Sequence, residues 1–147
     1  MSNLLLMHGI NHAMFGKRDP THYGSDSLAD IEAKARAWGD DLNVQVSCFQ
    51  SDIEGEFARA VHAAYEGDID ALVVNAGAWT HYSYGILDAL LIFKDKGPIV
   101  EVHMSHVHNR EPFRHQSVIA PACIGQISGF GVDSYHYGIQ AAARALG

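Results

Sequence analysis

Short, almost wholly apolar runs alternate along this chain with stretches in which apolar residues recur every three or four positions. The first pattern predicts buried strands, and the second predicts amphipathic helices. The predicted strands are Asn3 to His8, Val44 to Gln50, Ala71 to Asn75, Ile99 to His103 and Ala122 to Gly129. The predicted helices are Ser27 to Asp41, Glu54 to Tyr65, Ser83 to Phe93 and Tyr135 to Leu146. Strands and helices therefore alternate along the whole sequence.

This regular alternation predicts the fold class. Strands that are apolar along their whole length are typical of a parallel sheet that helices cover on both faces. We therefore expect an α/β protein, a doubly wound three-layer sandwich with a five-stranded parallel sheet. No linker, repeat or low-complexity tract divides the 147 residues, so residues 1–147 are expected to form a single domain.

Composition and charge exclude several classes of function. Hydrophobic residues make up 48% of the chain and charged residues 18%, which is typical of a folded globular protein. A formal net charge of −7 argues against binding to nucleic acid through phosphate neutralisation. The longest apolar run, Ile69 to Trp79, contains Asp70 and Asn75 and is far too short to span a membrane. The chain also lacks the basic stretch of a signal peptide, so we expect a cytoplasmic protein without membrane partners.

Ten histidines in 147 residues raise the question of a metal site. The run from Glu101 to His108 holds one glutamate and three histidines, which are ligand types that metals use. It lacks the His-x-x-x-His spacing of a helical site and any Cys-x-x-Cys pair, so we expect no metal. Histidines that stand alone, such as His8, are expected to be exposed or hydrogen-bonded in the core. Cys48 and Cys123 are expected to be buried thiols that form no disulfide.

Polar residues cluster in the loops that follow the first, third and fourth predicted strands. Parallel sheets bind their ligands at the carboxyl ends of the strands, where these loops lie. The loops are Gly9 to Ser25, Ala76 to Tyr82 and Met104 to Ser117. Together with the strand ends they carry Asn11, Arg18, Tyr23, Asn75, His81, Glu101, His103, Ser105, Arg110 and Arg114. We expect these side chains to form a cationic patch on an otherwise acidic protein.

Long motifs occupy these loops and the segment after the second strand. They are Gly9-Ile-Asn-His12 followed by Phe15-Gly-Lys-Arg-Asp-Pro-Thr-His-Tyr-Gly24, then Gln50-Ser-Asp-Ile-Glu-Gly-Glu56, then Asn75-Ala-Gly-Ala-Trp-Thr-His81, and finally Glu101-Val-His-Met-Ser105 running into Arg110-Glu-Pro-Phe-Arg-His115. With these motifs in this order, the sequence resembles the type II 3-dehydroquinate dehydratase family over nearly its whole length. The resemblance implies a flavodoxin-like fold and a hydro-lyase that converts 3-dehydroquinate into 3-dehydroshikimate without a cofactor.

The resemblance also implies a role for each matching residue. Tyr23 would be the base, kept as the phenolate by Arg18, and His103 would be the acid. Asn11 would hold the water that stabilises an enolate, and Glu101 would orient the site. The substrate-binding residues would be Asn75, His81, Met104, Ser105 and Arg114, with Asp88 reaching in from a neighbouring subunit. The family further implies trimers that assemble into a homododecamer.

The chain departs from the family pattern at four positions beside these motifs. Ile10 and His12 stand where the family has Pro and Leu, Tyr82 stands where Thr is usual, and His106 stands where the family has Asn. Two alternatives therefore remain beside the dehydratase. One is a divergent paralogue that dehydrates a related polyhydroxylated cyclic acid, and the other is a non-catalytic binding protein of the same fold. The sequence is also compatible with either a biosynthetic or a quinate-degrading role.

Overall fold

A computed structural model describes all residues of the chain, from Met1 to Gly147. Its strands are β1 (Ser2–His8), β2 (Val44–Gln50), β3 (Ala71–Asn75), β4 (Ile99–His103) and β5 (Gly125–Ser128). Its α-helices are α1 (Pro20–Tyr23), α2 (Leu28–Asp41), α3 (Glu54–Glu66), α4 (Tyr84–Lys94) and α5 (Asp133–Leu146). The predicted alternation of strands and helices is confirmed.

The five strands form one parallel sheet in the order β2-β1-β3-β4-β5. The chain runs from β1 to one edge of the sheet at β2, returns past β1 to β3, and continues to the other edge at β5. Helices α2 and α5 pack on one face of the sheet, and α3 and α4 pack on the other. The prediction of a doubly wound α/β sandwich with three layers is therefore confirmed.

Strand β1 lies inside the sheet, between β2 and β3, and packs against helices on both faces. Leu4 and Leu6 belong to the apolar cluster under α2 and α5, and Met7 belongs to the cluster under α3 and α4. All three side chains are fully buried. Burying one side chain of this size contributes about 1.5–3 kcal/mol. The sheet is thus a rigid base for the loops that leave its carboxyl edge.

Two local features differ from the prediction. Strand β5 begins at Gly125 rather than Ala122, because Ala120–Ala122 forms a 3₁₀ turn whose last residue packs into the cluster under α4. The loop after β1 is not wholly irregular, since it contains the short helix α1. Asp19 caps this helix by accepting a hydrogen bond of 2.9 Å from the N–H of Thr21.

Both cysteines are free thiols, and each is half-buried rather than fully buried as expected. Burial raises the pKa of Cys48 and that of Cys123 to about 12. Neither side chain is therefore a thiolate nucleophile near neutral pH. No helix is both long enough and apolar enough to cross a membrane.

The sheet order brings the carboxyl ends of β1, β3 and β4 next to one another. Their last residues are His8, Asn75 and His103, and His8 is paired with Asn75 in the sheet register. The loops that follow these three strands therefore leave the sheet at the same edge. This edge is where the candidate site is built.

Candidate active site

A pocket lies between the loops after β1, β3 and β4 and is lined by 15 residues. Most of the predicted site residues are in its wall: Asn11, Arg18, Tyr23, Asn75, His81, His103, Met104, Ser105 and Arg114. The rest of the wall consists of Ile10, His12, Gly77, Ala78, Val107 and Arg110. The predicted convergence of the three loops is thus observed in the fold.

Tyr23 ends helix α1 and lies between two arginines. Its hydroxyl accepts a hydrogen bond of 3.0 Å from Nη2 of Arg18, and the same guanidinium lies 3.8 Å from the centroid of the tyrosine ring. The guanidinium of Arg110 lies 5.2 Å from that centroid. The tyrosine hydroxyl thus faces the pocket beside two guanidinium groups, and a tyrosine hydroxyl is one of the side-chain groups that can transfer a proton to or from a ligand. The position of Tyr23 therefore suits proton abstraction.

His103 ends strand β4 and is held from behind by the fully buried Glu101. Nε2 of His103 lies 2.6 Å from Oε2 of Glu101. The same oxygen accepts a hydrogen bond of 2.6 Å from Gln126, and Oε1 accepts one of 2.8 Å from the hydroxyl of Ser117. An ionised carboxylate only accepts hydrogen bonds, so Nε2 of His103 carries a proton. Nδ1 is then the nitrogen of His103 that can exchange a proton with a ligand.

His81 lies beside His103, with ring centroids 6.1 Å apart. Nδ1 of His81 lies 2.7 Å from the backbone oxygen of Gln116, so Nδ1 donates and Nε2 is left as an acceptor. Burial, reinforced by the positive charges of His103 and Arg114, lowers the pKa of His81. His81 is therefore neutral near pH 7 and suits accepting a hydrogen bond from a ligand hydroxyl.

Asn75 ends strand β3, and hydrogen bonds fix its side-chain amide at both ends. Nδ2 donates to the hydroxyl of Tyr135 at 2.8 Å, and Oδ1 accepts from the N–H of Gly77 at 3.2 Å. Burial raises the pKa of Tyr135, so its hydroxyl stays protonated. Since an amide carries two N–H donors, one donor of Asn75 remains for a ligand in the pocket.

Asn11 has a left-handed backbone conformation, with φ of 72°, which asparagine tolerates better than most residues. Its N–H donates to Oδ1 of Asp52 at 2.8 Å. Nε2 of Gln50 in turn donates to Oδ1 of Asp52 at 3.1 Å and to the carbonyl of Gly9 at 3.2 Å. The end of β2 and the residue pair after it thus hold the backbone of Asn11 in place and leave its side chain available to a ligand.

Arg110 and Arg114 bring positive charge to the wall that follows β4. Nη1 of Arg110 donates to Oγ of Ser105 at 3.0 Å, and Nε of Arg114 donates to Glu111 at 3.2 Å. Hydrogen bonds from backbone and side chain lower the pKa of Glu111, which therefore stays ionised. Together with Arg18, three guanidinium groups face one pocket. They attract an anionic ligand despite the net charge of −7.

Two predicted site residues lie outside the wall of the pocket. Glu101 lies behind His103 and acts on a ligand only through that ring. Asp88 is exposed on helix α4 and does not line the pocket of its own chain. No three His, Cys, Asp or Glu side chains are grouped so that they could hold one metal ion.

The four departures from the family pattern do not lie in equivalent places. Ile10 and His12 line the pocket, whereas Tyr82 and His106 are exposed and do not.

The expectation that His8 is either exposed or hydrogen-bonded is wrong, because the structure shows neither. His8 is fully buried, and both of its ring nitrogens lack partners. Burial lowers the pKa of His8 to about 3, so its ring is neutral.

Three contributors to the site were given no role by the sequence. Arg110 was expected only as part of the cationic patch, and Ser117 and Gln126 were not expected to contact Glu101. The signal for Gln126 was a polar side chain in the middle of a largely apolar predicted strand. The pairing of β4 with β5 sets Gln126 directly opposite Glu101, which explains the contact.

Comparison with known proteins shows the family of this chain. The family model described as Dehydroquinase class II matches residues 2–143. The chain is 58% identical over 146 residues to the 3-dehydroquinate dehydratase of Syntrophotalea carbinolica. This alignment covers 99% of this chain and 97% of that protein. The 3-dehydroquinate dehydratase of Leptothrix cholodnii is also 58% identical, with 98% of this chain and 95% of that protein covered.

A solved structure shows the same similarity in three dimensions. The type II dehydroquinase from Butyrivibrio crossotus superimposes with a TM-score of 0.93 at 36% sequence identity, and the match covers 96% of this chain and 97% of that one. The family model, the relatives and the solved structure thus agree with one another. The chain belongs to the class II dehydroquinase family.

Proposed function

We propose that this chain is a 3-dehydroquinate dehydratase, which eliminates water from 3-dehydroquinate to give 3-dehydroshikimate through an enolate. One observation carries the proposal: Tyr23 with its partner Arg18, and His103 with its partner Glu101, serve a single pocket. Elimination of water next to a ketone needs a base for the carbon-bound proton and an acid for the departing hydroxyl. Membership of the family supports the same reaction.

In the first step, the phenolate of Tyr23 takes a proton from the carbon next to the ketone. The electron pair of the broken C–H bond forms the enolate double bond, and negative charge moves to the former ketone oxygen. Asn11 supports this step, because its clamped backbone leaves the side-chain amide free to hold a water against that oxygen. A donor aimed at a developing negative charge is a large source of rate enhancement.

In the second step, Nδ1 of the protonated His103 gives its proton to the departing hydroxyl. The C–O bond breaks, water leaves, and the enolate electrons form the new double bond conjugated with the restored ketone. The carboxylate of Glu101, 2.6 Å from Nε2, stabilises the positive ring before the transfer. Proton exchange with solvent then returns Tyr23 and His103 to their starting states.

The remaining wall suits a polyhydroxylated carboxylic acid. Arg114 offers a guanidinium to the carboxylate, and Nε2 of the neutral His81 accepts from a hydroxyl. Asn75 and Ser105 add hydrogen-bonding groups, and Met104 adds an apolar surface. Since these groups supply acid, base and oxyanion stabilisation, the proposed reaction uses no cofactor and no metal.

The proposal includes a homododecamer built from trimers, as the family resemblance implies. Asp88 supports it, because this carboxylate is exposed on α4 and lies outside the pocket of its own chain. We expect Asp88→Ala to lower activity while the far-ultraviolet circular dichroism of the protein stays unchanged. Light scattering that finds a fully active monomer would show that no neighbouring subunit completes the site.

We place the enzyme in the cytoplasm, with a small-molecule substrate and neither nucleic acid nor membrane as a partner. The acidic net charge of −7 and the two free thiols support this placement. Cell fractionation that finds the natural protein mainly with membranes would contradict it.

The test is a turnover assay with purified protein and 3-dehydroquinate. The product carries a conjugated enone and absorbs ultraviolet light, whereas the substrate does not. We expect turnover by the unmodified chain and a loss of at least about 100-fold in kcat for Tyr23→Phe, with KM little changed. Tyr82→Phe is the matched control, because it removes a phenolic hydroxyl from an exposed residue outside the pocket. Ordinary activity in Tyr23→Phe would refute the mechanism.

One observation keeps the paralogue as a second candidate, namely that Ile10 and His12 are in the pocket wall. Faster turnover of a related polyhydroxylated cyclic acid than of 3-dehydroquinate would establish the paralogue instead. Binding of 3-dehydroquinate without turnover by the unmodified chain would favour the non-catalytic binding protein.

A further inference from the structure

His12 lines the pocket but has no part in the mechanism above. Only 2% of its surface is exposed. Its ring stacks on Phe15, with centroids 4.6 Å apart and 16° between the planes, and meets the ring of His8 edge-on at 5.6 Å. These aromatic contacts fix the plane of the imidazole, so each ring nitrogen has a fixed direction.

One hydrogen bond sets the tautomer of this ring. The N–H of Gly9 donates to Nδ1 of His12 at 3.1 Å. A neutral imidazole has one acceptor nitrogen and one donor nitrogen, so acceptance at Nδ1 places the proton on Nε2. The hydrogen bond from Gly9 is the one that the His12 ring makes within the chain. The Nε2–H donor is therefore left for a group from outside.

The surroundings of Nε2 show where this donor lies. A Cβ built on Gly77 would come within 3.1 Å of Nε2, and Gly77 itself is in the wall of the pocket. Both ring nitrogens of the neighbouring His8 are sealed from solvent, whereas Nε2 of His12 is not. The unpaired donor thus opens toward the space that a ligand occupies.

Charged and titratable neighbours keep this ring neutral. Burial, followed by the positive charge of Arg18 and that of a protonated His103, lowers the pKa of His12 well below its usual range. A protonated His12 would lie among these like charges without a carboxylate partner. The ring is therefore a neutral donor throughout the neutral pH range.

We propose that the Nε2–H of His12 donates a hydrogen bond to an oxygen of the bound substrate and thereby contributes to substrate recognition. The inference rests on the proposed function, because the substrate is placed in this pocket. The family pattern has leucine at this position, so the donor distinguishes this chain from that pattern. A pocket that offers a hydrogen bond discriminates against ligands that lack the matching oxygen, because the buried donor is then unpaired.

The experiment measures the binding of 3-dehydroquinate by calorimetry in a Tyr23→Phe background, where turnover is stopped. Adding His12→Leu removes the donor and is expected to raise Kd about tenfold, at the upper end of what one hydrogen bond contributes. Adding His12→Gln supplies an amide N–H in its place and is expected to keep Kd within about threefold of the parent. His62→Leu is the matched control, since it removes an exposed imidazole on α3 that neither lines the pocket nor contacts His12.

An unchanged Kd in His12→Leu overturns the inference, including the case in which only thermal stability changes. A loss of affinity that grows as the pH falls from 8 to 6 also overturns it, because a charged imidazolium would then be the binding group. If the Tyr23→Phe variant still converts 3-dehydroquinate, the proposed mechanism is wrong. The role of His12 is then decided by comparing KM of the His12→Leu variant with KM of the unmodified chain, both with Tyr23 present. If the unmodified chain neither binds nor converts 3-dehydroquinate, the proposed function fails and this inference fails with it.

Discussion

Strands β1 and β4 both deliver a histidine to the same edge of the sheet, yet the two side chains have opposite surroundings. His8 ends β1 and is fully buried, and neither of its ring nitrogens has a hydrogen-bond partner. His103 ends β4 and is 5% exposed, and its Nε2 lies 2.6 Å from the carboxylate of Glu101. Position in the strand and burial are nearly the same, so the partner is the main difference.

This difference separates a structural histidine from one whose ring is available for chemistry in the pocket. Burial without a partner lowers the pKa of His8 to about 3, and the ring stays neutral as part of the core. His103, by contrast, is held at one ring nitrogen by the carboxylate of Glu101, and its other ring nitrogen is left for a ligand. A buried histidine at a strand end is therefore not by itself a sign of catalysis, whereas a buried histidine held by a carboxylate is a stronger one.

The largest expected effect comes from making His103 resemble His8. Glu101→Gln keeps the size of the side chain but removes the negative charge that, in the proposed mechanism, stabilises the protonated His103. We expect kcat for 3-dehydroquinate to fall by about 10²–10⁴-fold, the usual contribution of general acid–base catalysis. KM should change by less than about threefold, because the carboxylate does not line the pocket. Steady-state kinetics measures both constants.

Ser117→Ala is the matched control for this variant. It removes the hydrogen bond to Oε1 of Glu101 but leaves the negative charge and the contact with His103 intact. We expect its kcat to remain within about tenfold of the unmodified chain. Equal losses in Ser117→Ala and Glu101→Gln would mean that packing, rather than charge, makes His103 functional.

The second prediction concerns acid stability, where His8 is the sensitive side chain. Unfolded His8 takes up a proton near pH 6.5, whereas the folded side chain does so only near pH 3. Its contribution to stability is thus complete above pH 6.5 and is lost as the pH falls toward 3, by about 1.4 kcal/mol per pH unit. His8→Leu removes this proton uptake, so its free energy of unfolding should fall less steeply between about pH 6 and pH 4.

Urea unfolding at a series of pH values measures this slope. His62→Ala, on the exposed surface of α3, is the control for losing a histidine as such. Parallel pH dependences for His8→Leu and the unmodified chain would show that His8 takes up a proton in the folded state, and the contrast with His103 would then be wrong.

A smaller effect is expected from Gln126, the other donor to the oxygen that holds His103. Its Nε2 lies 2.6 Å from Oε2 of Glu101, and Gln126→Leu removes this hydrogen bond without touching the charge. Since the side chain is exposed and water can replace the donor, we expect a loss of only about 1 kcal/mol in unfolding free energy. The value of kcat should fall by less than about tenfold. Thermal unfolding measures the first quantity and steady-state kinetics the second. A loss of kcat as large as that of Glu101→Gln would show that the hydrogen bond from Gln126, and not only the charge of Glu101, is needed for His103 to function.

The sequence predicts most of the fold because its strands are strongly patterned. The prediction for Ile99 to His103 is confirmed to the residue, since a Gly-Pro pair precedes this run and a polar segment follows it. The prediction fails at the start of β5, where Ala122 is apolar because it packs under α4 rather than because it belongs to the sheet. Apolar character reports burial, and burial occurs in turns as well as in strands.

The candidate site, like the fold, could be predicted only in part from the sequence. The rule that parallel strands bind ligands at their carboxyl ends brings Tyr23 and His103 to one pocket, as observed. The contact of Gln126 with Glu101 could not be predicted, because it depends on the register between β4 and β5 and thus on where β5 begins. The unpaired state of His8 depends on side chains from distant parts of the chain, including the ring of Tyr135, 5.2 Å away. Local sequence does not contain such contacts.

The smallest expected effect belongs to a third histidine, His106, only three residues after His103. Its side chain is exposed, lies outside the pocket and contacts no carboxylate in the site. Unlike His103, this histidine has neither burial nor a charged partner, so we expect it to contribute little to the site. We therefore expect His106→Asn, which restores the family residue, to change kcat/KM for 3-dehydroquinate by less than about twofold and stability by less than about 0.5 kcal/mol. Kinetics and thermal unfolding on the same preparation measure both quantities. A gain of more than about tenfold in kcat/KM would instead show that His106 tunes the chain away from 3-dehydroquinate, and the paralogue would become the better assignment.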